Sequence, residues 1–231
     1  TGNVQVLALS GYYYNRHAAV NYANIFSSSY NTDWYATYQN ADCTNYGSQA
    51  VYAGIWKAPP DRSGMSTGRN WYLDWYYDFS PPDYSSPWAV AQDQYTFLTT
   101  NIGIGPYGYG TTTLCSLLPG DIVQLKNANP DPAEWDHEGI VVWRSTTGSC
   151  WDLNSYKVNA HNTNRYQYPL SYWTSYSMRF IIIQGYRLDT TPASVFSDFP
   201  KSSWAWQDIQ ELYASGLTGG VATTPFRKFP N

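Results

Sequence analysis

The sequence predicts an α+β fold, with N-terminal helices packed on an antiparallel sheet. Three observations carry it. Within residues 1–188, helical periodicity is confined to the front, at residues 15–30, 42–54 and 86–99. Strand-like apolar runs follow it at 122–126, 139–143, 155–160 and 178–187. Helices first and a meander of strands afterwards is the order of an α+β domain. The length, 231 residues, supports a buried core without help from metals or a disulfide framework.

Taken in order, residues 1–10 mix short apolar and polar side chains and read as an arm. At 15–30, Ala18, Tyr22, Ile25 and Phe26 fall on one helical face. A polar loop, 27–41, leads to a second helix over 42–54, with Asp42 as its N-cap and Gly54 as its stop. Tyr46, Ala50 and Ala53 form its buried stripe, and Cys43 takes its first position. Residues 57–87 are loop-like, broken by Pro59, Pro60, Gly64, Gly68, Pro81 and Pro82, and their aromatics suggest a packed cover. Ser86-Pro87 opens a helix to about Thr99. A glycine-rich turn region spans 103–110. Leu118-Pro119-Gly120-Asp121 turns into the strand 122–126, an acidic loop covers 127–136, and the strands 139–143 and 155–160 follow. Phe180 to Ile183 make the last strand, 178–187, too apolar for a sheet edge. Residues 1–188 form the main domain, 189–194 a linker, and 195–231 a separate tail with a short amphipathic helix at 203–214.

Composition narrows the function. Charged residues make up 13% of the chain, with a net charge of −4 and 13 Lys and Arg that do not cluster. A nucleic-acid binder needs a basic patch for the phosphates, so that class is excluded. No apolar run approaches the ~18 residues of a membrane span. No signal peptide is visible at Thr1, which predicts a chain that is cytosolic or already processed. The 23 Tyr and 11 Trp, with abundant Ser, Thr and Asn, give an extracellular style of surface. These aromatics read first as packing or interface residues, and more sharply as sugar-stacking platforms.

Three cysteines leave one outside any pairing within the chain. Cys115 and Cys150 lie 35 residues apart, and a bond between them would be worth about 4 kcal/mol in the chain-entropy model. Cys43 would then be the free thiol. The alternative is three unpaired thiols in a reducing compartment. A thiol at a helix N-terminus faces the positive end of the macrodipole and unpaired N–H groups, the setting of a nucleophile with a ready oxyanion site. Of three histidines, His17 reads as a surface or packing residue. His137 and His161 stand at the ends of adjacent strands, as a Cys/His relay requires.

These residues carry a resemblance. Tyr14-Asn15-Arg16-His17-Ala18-Ala19-Val20-Asn21-Tyr22-Ala23 resembles the opening motif of the putative amidase domain family, which is similar to the NlpC/P60 and papain-like cysteine hydrolases. Asp42-Cys43-Thr44-Asn45-Tyr46-Gly47-Ser48-Gln49 resembles its nucleophile motif, usually DCTNF-x-SQ. Gly120-Asp121-Ile122-Val123 resembles its Gly-Asp strand opening, Asp136-His137-Glu138-Gly139-Ile140-Val141-Val142 its His strand, and Ala160-His161-Asn162-Thr163-Asn164 the motif after it. The matches run in family order over about residues 12–185. Gly47 departs from the family, which often has a larger residue there, and Ile55 stands where it often has a second glycine. The resemblance implies a papain-like, NlpC/P60-like domain with Cys43 as nucleophile, His137 as base and His161 as third polar residue, Asn159 being the runner-up for that last role. Asp42, Asn45 and Gln49 flank the thiol. With the odd count, it singles out Cys43 as free and pairs Cys115 with Cys150.

The tail Val195-Phe196-Ser197-Asp198-Phe199-Pro200, with Trp204-Ala205 and 212–217, resembles the start of an S-layer homology repeat, implying self-association or wall-polymer binding through 195–231. Asp131, Glu134 and Asp136 lack an EF-hand spacing, so no metal and no cofactor is expected. The sequence thus reads as a secreted or cell-surface cysteine hydrolase acting on a peptide or cell-wall amide. The rivals are a cell-surface structural or assembly protein on an amidase-like scaffold, and a glycan-binding module.

Overall fold

A computed structural model describes residues 9–38, 41–55, 57, 59, 61–126, 135–189, 221–223 and 226–228. Two compact units emerge, Gly11–Leu188 and a second built from Thr1–Ser10 with Asp189–Asn231. Within the second, β10 (Val221–Thr223) and β11 (Phe226–Lys228) form an antiparallel hairpin. The expected linker beyond Asp189 and the tail helix at 203–214 lie outside the described residues, as does most of the acidic loop at 127–136.

The main unit is α+β. Strand β1 (Leu9–Tyr13) precedes helices α1 (Arg16–Ile25) and α2 (Cys43–Gly54). A small hairpin, β2 (Tyr77–Phe79) with β3 (Pro82–Tyr84), comes next, then α3 (Ser86–Ala89) and α4 (Ala91–Thr100). Strands β4 (Gly105–Thr111), β5 (Ile122–Lys126), β6 (Trp135–Arg144), β7 (Tyr156–Ala160), β8 (Arg165–Pro169) and β9 (Ser177–Asp189) complete the chain order. The sheet runs β1-β9-β5-β6-β7-β8, and β4 also pairs with β9. The pairs β4–β9, β5–β9, β5–β6, β6–β7 and β7–β8 are antiparallel.

Both faces of the sheet are covered. Ile122, Ile140, Val142, Ile181 and Ile183 pack with Tyr46, Ala50, Val51 and Leu98 of the helices. Val123, Leu125, Val141, Val158, Phe180 and Ile182 form a second core with Leu114, Leu117, Leu170 and Trp173. Alternation along β5 and β9 sends successive apolar side chains to opposite cores.

The sequence's helices hold their places, with corrections. Asn15 caps α1 by accepting from Ala18 N at 3.0 Å, but α1 ends at Ile25, short of the expected 30. The single helix expected over 86–99 is two, because Val90 is extended. The glycine-rich region read as a turn is β4, and residues 9–10 of the expected arm belong to β1. The stretch 57–87 is the packed cover expected: Trp75 and Tyr77 are fully buried, and Trp75 meets Trp88 of α3 with ring centroids 4.6 Å apart.

The Gly-Asp motif is a structural clamp. Gly120 has φ +91°, a left-handed conformation suited to glycine. Asp121 is fully buried and accepts from Arg16 at 2.6 Å and from the Ile183 backbone N–H at 2.9 Å. Arg16 also donates to the carbonyls of Pro119 and Ile183. One ion pair thereby joins the start of α1 to β5 and β9. Burial pushes the Asp121 carboxyl up to about 6, against the pull of Arg16.

Candidate active site

Helix α2 begins at Cys43, as its capping residues predict. Asp42 occupies the N-cap position, yet its side chain makes no capping hydrogen bond. It turns instead toward β7, where Oδ2 meets His161 Nδ1 at 2.6 Å. Its other oxygen accepts from the Tyr38 backbone N–H at 3.1 Å and from Asn45 Nδ2 at 2.8 Å. The first-turn N–H groups of α2 are therefore not claimed by the cap residue's side chain.

His161 is boxed in. Nε2 lies 2.7 Å from the carbonyl of Phe26, the Tyr46 ring stacks on the imidazole at 3.9 Å, and Tyr30 meets it edge-on at 4.9 Å. Both ring nitrogens face oxygen atoms. His161 joins the end of α1 to the start of α2, and nothing remains on its ring for a thiol.

The other residues singled out beside the thiol are also held. Asn45 donates to the Ala36 carbonyl at 3.0 Å and accepts from Trp88 Nε1 at 2.8 Å. Gln49 accepts from the Tyr22 hydroxyl at 2.6 Å. Asn159 donates to the Ala23 carbonyl at 2.9 Å and to Asn24 Oδ1 at 3.0 Å, and accepts from the Gln167 N–H at 2.7 Å. His17 sits exposed on α1.

Cys43 is the free cysteine, and it is buried. Its Sγ lies 3.8 Å from Thr44 Oγ1 and 4.0 Å from the Asp136 carbonyl, so the thiol rests on the backbone of β6. Burial, then the charge of Glu138, pushes the thiol up to about 12; Thr44 and the Glu138 backbone pull the other way. The low thiol expected from the helix terminus is thus overridden by desolvation. Cys115 and Cys150 are bonded, with S–S at 2.01 Å.

His137 is the third residue of β6. It pairs across the strands with Leu125, which belongs to the second core, and its ring meets Trp173 of that core at 5.8 Å. Burial lowers its affinity for a proton, and Arg165 adds to this while Asp136 opposes it. Among the described residues, no hydrogen bond joins Cys43 to His137 or to His161.

Beside Ile140 and Val142 on the helical face of β6 stands Glu138, which sequence reasoning passed over. It is fully buried, and Oε2 accepts from Gln124 Nε2 at 2.9 Å. Its other oxygen lies where a Cβ on residue 47 would stand. The missing side chain at Gly47 makes the room for this carboxyl, and that departure from the family motif was the signal available. Burial pushes Glu138 up to about 8, opposed by Gln124, Gln94 and Arg179.

The putative amidase domain model matches residues 13–183. The chain belongs to that family, whose name points to hydrolysis of an amide bond. No curated protein and no solved structure matches the chain.

Proposed function

We propose that the chain hydrolyses an amide bond through Cys43. The observation that carries this reading is the thiol itself: the free cysteine of the chain opens α2, inside the family's matched span, against the backbone of the central strand β6. A cysteine-bearing helix on an antiparallel sheet is the arrangement of papain-like and NlpC/P60-like hydrolases, and we read the fold in that sense.

Sγ attacks the carbonyl carbon, the developing oxyanion turns to the first-turn N–H groups of α2, and the C–N bond breaks to leave an acyl-thioester and a free amine. Water then releases the acid. Asp42 and His161 act as positioning residues, holding the first turn of α2 in register with β7 and the end of α1.

The Cys115–Cys150 bond supports a secreted or cell-surface setting, since disulfides persist in oxidising compartments. The wall-polymer resemblance of 195–231 makes cell-wall peptide the favoured substrate. A second reading, an assembly protein on an amidase-like scaffold, is favoured by one observation: the thiol is buried, and burial holds its proton on. The test is release of new amino groups from purified peptidoglycan. Wild type should release them and Cys43→Ala should not. Release by both would remove Cys43 from the reaction, and release by neither would favour the scaffold.

A further inference from the structure

Arg179 of β9 carries a buried charge, and no ion pair among the described residues includes it. We propose that Arg179 is the anion subsite of the proposed hydrolase, taking a carboxylate of the substrate next to the amide that Cys43 cleaves. The substrate class is then an acidic peptide. Its place in the reaction rests on the reading of Cys43 as nucleophile.

The guanidinium is built into the fold. Its carbon lies 3.7 Å from the centre of the Tyr95 ring and 4.3 Å from that of Trp135, and the residue is 9% exposed. Stacking on rings leaves the in-plane N–H groups of a guanidinium for acceptors. Here those acceptors are neutral: Nε donates to Gln124 Oε1 at 2.9 Å and Nη2 to Gln92 Oε1 at 3.2 Å. Gln124 donates in turn to the Glu138 carboxyl, so an amide stands between that carboxyl and the guanidinium. A buried cation held by amides is costly. Burial loosens its proton, and Tyr95 and Glu138 offset this only in part. A carboxylate brought by the substrate would remove the deficit.

Gln92 marks the way in. It is exposed, and its amide oxygen sits on Nη2 as one oxygen of a carboxylate would. A carboxylate that displaces it exchanges a neutral acceptor for a charged one, and hydrogen bonds to ionised groups are roughly twice as strong. The site also adjoins the thiol. Trp135, on which the guanidinium rests, precedes Asp136, whose carbonyl is 4.0 Å from Cys43 Sγ. Guanidinium and thiol thus lie against successive residues of β6.

The other arginines differ. Arg16, Arg62 and Arg69 are matched by Asp121 or Asp78. Arg144, Arg165 and Arg187 also rest on rings, but each keeps contact with solvent. Nor does the field of the whole chain favour an acidic ligand. The net charge is −4, which repels anions at long range, so a preference for an acidic peptide has to come from a local cation.

The experiment measures peptide binding to the full chain carrying Cys43→Ala, by isothermal titration calorimetry, with near-ultraviolet circular dichroism confirming each variant's fold. The probes are acetyl-Ala-Glu-Ala-amide, whose carboxylate has an amide bond on either side, and its neutral isostere acetyl-Ala-Gln-Ala-amide. The acidic peptide should bind about tenfold more tightly or better, as hydrogen bonds to a charged group imply. Adding Arg179→Gln should abolish that difference and leave the neutral peptide's affinity unchanged. Arg179→Lys, which keeps the charge without the planar fork, should restore only part of it. Gln92→Ala, which uncovers the guanidinium, should tighten binding of the acidic peptide alone. Equal binding of the two peptides, failure of both to bind, or a preference that survives Arg179→Gln would overturn the proposal. Should Arg179→Gln not fold, Gln92→Ala decides, and no gain for the acidic peptide would overturn the subsite. The nucleophile is judged separately: amino groups released from peptidoglycan by Cys43→Ala would overturn Cys43 and leave a measured Arg179 preference standing.

Discussion

The Asp42 carboxylate and the His161 imidazole meet at 2.6 Å with both side chains almost wholly excluded from solvent. An N-cap residue ordinarily spends its carboxylate on its own helix. Here one of its oxygens is spent on His161, just past the end of β7 and 119 residues away, and α2 is fixed to the sheet by its first residue's predecessor.

Breaking a buried pair strands its partner, at about 3–5 kcal/mol. His161→Gln leaves Asp42 buried with a weaker donor, and Asp42→Asn leaves the imidazole facing an amide. Each should lower unfolding stability by about 3 kcal/mol, read by urea denaturation. The double variant should cost less than the sum of the two, and strict additivity would show that the pair carries no coupling.

Gly47 and Glu138 should behave as one unit. Overpacking a filled core costs about 1–3 kcal/mol, so Gly47→Ala should destabilise the wild-type chain by that much. In a Glu138→Ala background the added methyl enters vacated space, and the cost should vanish or change sign. An equal cost in both backgrounds would place the crowding elsewhere.

The Cys115–Cys150 bond closes a long loop at the edge of the second core. Replacing both cysteines by serine should lower stability by about 4 kcal/mol through the freer unfolded chain, with the folded spectrum retained. A change below about 1 kcal/mol would mean the unfolded state is already restricted there.

Much of this fold is legible in the residues, and the failures share a physical cause. Helix α2 is bounded by Asp42 and Gly54, and β5 by Gly120-Asp121 and the end of its apolar run. Strand β4 is hidden because Gly105, Gly108 and Gly110 look like turn chemistry. Two of them serve close approach instead: Gly108 to the Ile182 backbone and Gly110 to the Tyr95 ring. The orientation of His137 is illegible for another reason. Ile140 and Val142 feed one core and Val141 the other, so β6 reads as one continuous apolar run. Without alternation, sequence cannot say which of His137 and Glu138 lies on which face of the sheet.

The tail carries a prediction from sequence. Trp204, Trp206, Ile209, Leu212 and Leu217 exceed what a lone short helix can bury, and such patches mark interfaces. We expect 195–231 to dock on its own main domain or on a neighbouring copy. Deleting it should leave 1–188 folded by circular dichroism. If it joins neighbours, the deletion should also shift sedimentation toward monomer, and an unchanged assembly would reduce the tail to a remnant.

Stability should fall as pH rises through the range of Glu138. Its folded affinity for a proton is raised from 4.5 to about 8 by burial. Between those values the folded chain holds a proton that the unfolded chain has released, so ΔG of unfolding decreases with pH there. The contribution is fully present below about 4.5 and is gone above about 8, a difference on the order of a few kcal/mol. Asp121, raised to about 6, adds a loss of the same sign at lower pH. His137 works in the opposite sense: its lowered folded affinity costs stability as pH falls through 6.5 and below. Midpoint temperatures measured from pH 6 to 9 should therefore decline on the alkaline side, and Glu138→Gln should flatten that decline while leaving the acid side in place. An alkaline decline that survives in Glu138→Gln would assign it to another group and return the Glu138 carboxyl to the ordinary range.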